Sequence, residues 1–382
     1  LLDESDIPQT LLKKNAVEEI VMHPQIRSRF DSNILTQFGK AMQIMSKMPA
    51  RLPFFIKFHA NQKAAAKIRG KLSSQGLEVP PLMIISITRR CNLNCSGCYS
   101  KLLHKDSGAE LSPQRLTEIL SEAETLGISI VLLAGGEPLV RREILDVAAG
   151  FPRIIFPIFT NGLLLDSEYT RFFAAHPHLI PVISLEGGKA ETDFRRGEGV
   201  YQNFSSVIKE LNSQQVFWGV SLTLTAGNFS LVLSESFGKE LLALGCKLFF
   251  FVEYVPVAEG SEDLLLSEAQ KAEVQPRVDR LMQKLPGIFI AFPGDEDQYE
   301  GCLAAGRGFM HINPAGKVEP CPFAPFSDTD LRFGTLKEAL QSRFLSEIRK
   351  SHHLLKEGKG GCALWANKEW VKELESSLQK QI

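Results

Sequence analysis

The chain has 382 residues, a formal net charge of −1, and 44% hydrophobic against 23% charged residues; fibrous and disordered classes are excluded, and about two or three domains with a sizeable core are expected. No apolar run reaches bilayer-spanning length, since the stretch 247–252 is strand-sized and ends at Glu253. No charged-apolar-small leader pattern opens the sequence, and seven cysteines, an odd number in a long chain, do not read as a disulfide framework, so a reducing, cytoplasmic setting is expected.

Residues 1–80 read as a helical, basic segment. Between Ser32 and Leu77 there is no Asp or Glu, whereas Lys40, Lys47, Arg51, Lys57, Lys63, Lys67, Arg69 and Lys71 all fall there. Lys63, Lys67 and Lys71 share one helical face, with Ala64, Ile68 and Leu72 on the adjacent one, the pattern of an amphipathic basic helix. Its bland reading is a cap packed on the next domain with its lysines in water; a membrane-associated alternative has it lying on an anionic membrane surface.

Pro80-Pro81 forces an extended entry into a strand-helix alternation. Strand-like runs fall at 83–88, 128–134, 154–160, 179–185, 216–225 and 247–255. Helical patterns lie between them, one opened by Ser112-Pro113 as N-cap and first helical residue. Strands alternating with helices imply a parallel sheet with right-handed crossovers, over residues 81–258. Residues 259–300 read as a connecting helix with a capping box at Ser267 and Gln270, followed by the acidic loop Asp295-Glu296-Asp297. Residues 301–382, short and Gly/Pro-punctuated, read as a small separate domain.

The chemistry begins directly after the first strand. Cys91, Cys95 and Cys98 place three thiols in eight residues with no fourth nearby. Three thiolates suit an iron-sulfur cluster with one iron left open to another ligand, whereas structural zinc favours closed coordination from cysteine pairs. A zinc knuckle or unconnected thiols are the competing readings. The turn Ala134-Gly135-Gly136-Glu137-Pro138-Leu139 follows the second strand; its glycines let backbone approach a ligand, and Glu137 can accept hydrogen bonds from an ammonium group. Asn161 ends the third strand, and Ser184 and Glu186 end the fourth, where polar groups can reach a ribose or carboxylate or simply make turns. Cys246 reads as a core residue.

The spacing Cys91-x-x-x-Cys95-x-x-Cys98 after the first strand, with the Gly-Gly-Glu-Pro turn one strand later, resembles the radical S-adenosylmethionine (SAM) superfamily. The resemblance implies a partial (β/α)6 TIM barrel, an α/β fold. It implies a [4Fe-4S] cluster on Cys91, Cys95 and Cys98, and SAM chelating the open iron through its amino and carboxylate groups. Gly135, Gly136, Glu137 and Pro138 would hold the SAM amino group, and Arg196, in Arg195-Arg196-Gly197-x-Gly199, would pair with the SAM carboxylate. One departure is local: relatives often carry an aromatic just before the third cysteine, where this chain has Gly97, with Tyr99 immediately after the cysteine as the nearby cofactor contact.

Cys302, Cys321 and Cys362, with the hairpin-like stretch 311–318 between the first two, look like the SPASM/Twitch extension that carries auxiliary iron-sulfur clusters. A full SPASM domain has about seven cysteines for two clusters, so three support one auxiliary cluster; scattered structural thiols are the alternative. The resemblance further implies reductive cleavage of SAM to a 5′-deoxyadenosyl radical that takes hydrogen from a substrate. It also implies a flavodoxin- or ferredoxin-like reductant and, as first expectation, a peptide or protein substrate. A lipid or membrane-associated small molecule is the alternative substrate, and a non-enzymatic electron carrier the rival from another class. Nucleic acid is not expected, because no RNA-binding module is recognisable.

Overall fold

The computed structural model describes residues 24–45, 52–104, 108–292, 299–355 and 362–379. Lys47, Arg51, the 295–297 acidic loop and Gly360-Gly361 lie outside them.

One nine-stranded sheet organises the chain, in the order β7-β6-β5-β4-β3-β2-β1-β8-β9. Strands β1 (Leu82–Ser86), β2 (Ile130–Ala134), β3 (Phe156–Thr160), β4 (Leu179–Leu185), β5 (Gly219–Leu224), β6 (Leu248–Glu253) and β7 (Ile288–Phe292) pair in parallel with their sequence neighbours. This unbroken order, with helices in the crossovers, curls the sheet into a half-barrel. The barrel therefore carries a seventh parallel strand, the short apolar run Ile288–Phe292, in a stretch that reads from sequence as connector. On the opposite edge β8 (Phe309–Ile312) pairs in parallel with β1, and β9 (Val318–Glu319) returns antiparallel to β8. The hairpin read between Cys302 and Cys321 thus extends the barrel sheet itself.

Alternation along each strand sets two faces. Met83, Ile85, Val131, Leu133, Phe249 and Phe251 pack with crossover-helix residues such as Leu116, Ile119 and Leu120. Helix Pro113–Leu126 starts where Ser112 Oγ accepts from Arg115 N, and it ends at Gly127, whose φ of 84° suits glycine. The other face, with Ile155, Ile180, Val182, Phe217, Leu248 and Phe250, packs against Ala41 of helix α1 (Pro24–Met45) and Phe55 and Phe58 of helix α2 (Leu52–Ser73). The N-terminal helices thus close one end of the inner face, leaving a cavity of about 460 Å³. Leu82, Leu132, Pro157, Ile180 and Phe250 line it with α1 residues including Lys40.

The basic face of α2 behaves as read: Lys57, Lys63, Lys67 and Lys71 are exposed. Its apolar partner face does not. Ala64 and Ile68 are exposed and only Leu72 packs against the core, the buried side being Phe55, Phe58, Gln62, Ala65 and Arg69. Gln62 exchanges hydrogen bonds with Ser129, while the Arg69 guanidinium donates to Gly127 O and pairs with Asp31, so these polar side chains find partners inside. Phe58 is fully buried. Phe58→Ala should cost about 3–5 kcal/mol, read as a fall in unfolding midpoint, whereas Lys63→Ala should leave the midpoint nearly unchanged. Among the described residues no helix is long and apolar enough to cross a membrane.

Candidate active site

Because β1 to β7 run in parallel, the segments that follow them gather at one end of the half-barrel. The cysteine loop follows β1 and is stitched to its neighbours. Ile87 N donates to Ala134 O (2.9 Å), Gly136 N to Thr88 O (2.7 Å) and Glu137 N to Arg90 O (2.8 Å). Asn161 Nδ2 donates to Asn92 Oδ1 (2.7 Å), and Ser96 N to Arg195 O (3.0 Å). A Cβ on Gly136 would lie 2.1 Å from Arg90 O, and one on Gly135 2.6 Å from Thr88 O. The glycine pair is therefore required by the cysteine loop itself. Cys91, Cys95 and Cys98 are half-buried free thiols. Burial raises the Cys91 thiol above its ordinary range, with Glu137 adding to the rise, and burial raises Cys95 against the opposing pull of Arg196. Such desolvated thiols ionise readily only beside a cation or a metal.

Glu137 is nearly fully buried, and its carboxylate accepts from Thr160 Oγ1 (2.7 Å), Leu139 N (3.0 Å) and Asn161 N (2.8 Å). Burial lifts its pKa above the ordinary carboxylate value. Its oxygens thus lock the end of β2 to the end of β3 and start the turn Pro138–Val140. Ser184 is half-buried beside Ser221, its register partner on β5.

Glu186 carries the charge at the end of β4. Its Oε1 receives Arg195 Nη1 and Arg196 Nη2, both at 2.6 Å, on a side chain 3% exposed. Arg195 also donates to Thr223 Oγ1 (2.9 Å). Glu186 is shared by the two guanidiniums, Arg196 also acts on the Glu137 carboxylate, and both arginines lower the Cys95 thiol. Glu186 Oε2, Arg195 Nε, Arg196 Nε and Tyr254 Oη are buried with no hydrogen-bond partner. Tyr254 follows β6 and its ring lies over Gly97: a Cβ there would meet Tyr254 Oη at 2.4 Å, and Gly97 has φ +66°. The missing aromatic at position 97 is thus matched by a ring from β6, close to the Arg195 guanidinium at 5.8 Å.

Native buried polar atoms are nearly always satisfied, so this group awaits a polar ligand. A ligand bearing a carboxylate answers the two guanidiniums, and three nearby thiols answer a metal cluster; the residues present fit both. Glu186→Ala would leave two buried guanidiniums uncompensated and should cost about 3–5 kcal/mol, measured by denaturant unfolding.

Tyr99 lies between the two cysteine groups. It opens helix Tyr99–Leu103 beyond Cys98, its ring 5.0 Å from Phe323, and burial with Cys98 and Cys321 nearby raises its phenol. It thus faces the C-terminal cysteines, which the fold brings together. Cys321 is hydrogen-bonded to Cys362 and feels Cys302, and these contacts with burial hold its thiol well above the ordinary value. Ala305 N to Pro320 O (3.0 Å) ties the Cys302 segment to the Cys321 segment. Cys246 is core, its thiol pushed up to about 12 by burial. Arg195, Asn92 and Tyr254 are site residues beyond those singled out from sequence. Only Arg195 had a signal there, its place in the Arg-Arg-Gly segment.

Residues 85–226 match the family model of the Radical SAM superfamily. The chain carries a radical SAM domain. It is similar to the AdoMet-dependent heme synthase of Methanosarcina barkeri, 27% identical over 317 residues, 75% of this chain and 88% of that protein. It is also similar to mycofactocin maturase MftC of Mycobacterium tuberculosis, 27% identical over 263 residues, 65% of this chain and 66% of that protein. Among solved structures, Streptococcus suis SuiB bound to its precursor peptide SuiA superposes with a TM-score of 0.59 at 17% identity, covering 81% of this chain and 75% of that one, a likeness of fold. The chain is accordingly an enzyme of the radical SAM type, whose cofactors are SAM and a [4Fe-4S] cluster.

Proposed function

We propose that Cys91, Cys95 and Cys98 hold the [4Fe-4S] cluster and that the Arg195–Arg196–Glu186 group binds the SAM carboxylate. The observation that carries this is the cluster of four buried, unpartnered polar atoms around two guanidiniums beside Cys95. When bound, cluster and SAM supply a carbon radical able to take hydrogen from an unactivated C–H bond. The chain's residues do the rest. Glu137 and Asn161 brace the cysteine loop through β3, and Tyr254 covers Gly97. Cys302, Cys321 and Cys362 would hold one auxiliary cluster, with Tyr99 standing between the two cysteine groups.

The substrate of first choice is a peptide, on the strength of relatives named for peptide maturation: mycofactocin maturase and the PqqA peptide cyclase of Granulibacter bethesdensis. A second reading, a small molecule in place of a peptide, is favoured by the similarity to a heme synthase. A flavodoxin- or ferredoxin-like protein would supply the electron. Anaerobic turnover separates the substrate readings. With reductant supplied, 5′-deoxyadenosine formation stimulated by short Cys- or aromatic-containing peptides supports the first, and stimulation only by tetrapyrroles or a lipid extract supports the second. No SAM-dependent 5′-deoxyadenosine under any of these conditions overturns the proposal.

A further inference from the structure

Away from the cysteines, three buried side chains from three separate elements converge on one point. His104 follows helix Tyr99–Leu103, His311 lies on β8 and Glu319 on β9, and all three are buried. Each offers one donor atom, and these atoms lie within 4.8 Å of one another. His311 Nδ1 is 2.7 Å and His104 Nδ1 3.8 Å from Glu319 Oε2. A first-row cation bonded at about 2.0–2.1 Å in tetrahedral geometry sets its donors about 3.3 Å apart, a spacing these two distances bracket.

The outward atoms of the same residues are anchored. His104 Nε2 lies 3.1 Å from Pro322 O, and a carbonyl only accepts, so Nε2 carries the hydrogen and Nδ1 the lone pair. His311 Nε2 lies 2.8 Å from Ser86 Oγ, which can accept in the same way, and Asn313 Nδ2 donates to Glu319 Oε1 at 2.7 Å. Metal-ligating imidazoles and carboxylates are typically oriented by such outer partners. A groove of about 100 Å³ lined by His104, Asn313 and Glu319 gives room for a water as fourth ligand.

We propose that His104, His311 and Glu319 form a site for a divalent first-row cation, zinc foremost, separate from both cysteine groups. Its place in the fold gives it a purpose. Ser86 ends the strand that leads into Cys91, His104 lies six residues beyond Cys98, and Glu319 lies two before Cys321. A cation here pins the hairpin carrying one cysteine group to the strand and helix flanking the other, fixing the separation across which Tyr99 stands.

The test uses the full chain with its iron-sulfur clusters loaded, so that the thiols are occupied, dialysed against micromolar Zn²⁺. One zinc per chain is expected, with unchanged iron, and a zinc K-edge absorption spectrum fitted by nitrogen and oxygen ligands alone. Glu319→Gln and His104→Gln should lose the zinc. No zinc retained by the wild type, a sulfur-containing first shell, or zinc retained equally by both variants would overturn the proposal. The wild-type spectrum decides the matter even if a variant fails to fold.

Discussion

Gly136→Ala is expected to disable the enzyme by displacing the cysteine loop. The added methyl would sit 2.1 Å from Arg90 O, 2.6 Å from Arg90 C and 2.9 Å from Arg89 C, all backbone atoms that cannot rotate away. The clash is relieved only by moving the loop that carries Cys91, held there by the Gly136 N to Thr88 O and Glu137 N to Arg90 O bonds. Overpacking of this kind costs about 1–3 kcal/mol or more, and here the displacement falls on the cysteine geometry. Iron content after reconstitution should drop sharply and 5′-deoxyadenosine formation should fall to background. Gly39→Ala is the control. Its Cβ meets nothing within 4 Å and it lies within α1, so loading should be unaltered and stability about 0.5–1 kcal/mol higher. Full activity in Gly136→Ala would show that the loop is not held as described.

The second large effect separates the two cysteine groups. Cys91→Ala, Cys95→Ala and Cys98→Ala should each lower SAM cleavage by about a thousandfold or more, equivalent to about 4 kcal/mol of barrier, because each removes a ligand of the proposed SAM-bearing cluster. Cys321→Ala should lower iron content yet retain SAM cleavage uncoupled from substrate conversion. Cys246→Ala should change neither, since that thiol is buried in the core with its Sγ directed to Leu248 O (3.4 Å). Iron analysis with quantified 5′-deoxyadenosine and product distinguishes the patterns; equal loss of SAM cleavage in Cys91→Ala and Cys321→Ala would merge the two groups into one function.

Periodicity made most of the barrel legible. Ser112-Pro113, the Ser267–Gln270 capping box and apolar runs such as Val131–Leu133 are local signals that the fold preserved. The α2 stripe was misread because a helical wheel counts Gln62 and Arg69 as polar, whereas their partners Ser129, Asp31 and Gly127 come from distant elements. The same limit hid the seventh strand and the joining of β8 to β1, since a five- or four-residue run acquires meaning only from the edge it pairs with. At the site, the cysteine loop and the glycine turn are contiguous in sequence and were readable, though the turn's glycines answer first to the loop backbone. Tyr254 was not readable: its role depends on the emptiness of Gly97, a contact made by the curl of the sheet from β1 to β6.

In the proposed function, the three-cysteine loop and the Arg195–Arg196–Glu186 group together receive a cluster and SAM. Electron paramagnetic resonance of the reduced, cluster-loaded protein, recorded with and without SAM and compared with Arg196→Ala, tests this most directly. SAM should change the spectrum of the wild-type cluster, and the variant should respond only at much higher SAM concentration. A wild-type spectrum indifferent to SAM would contradict this binding.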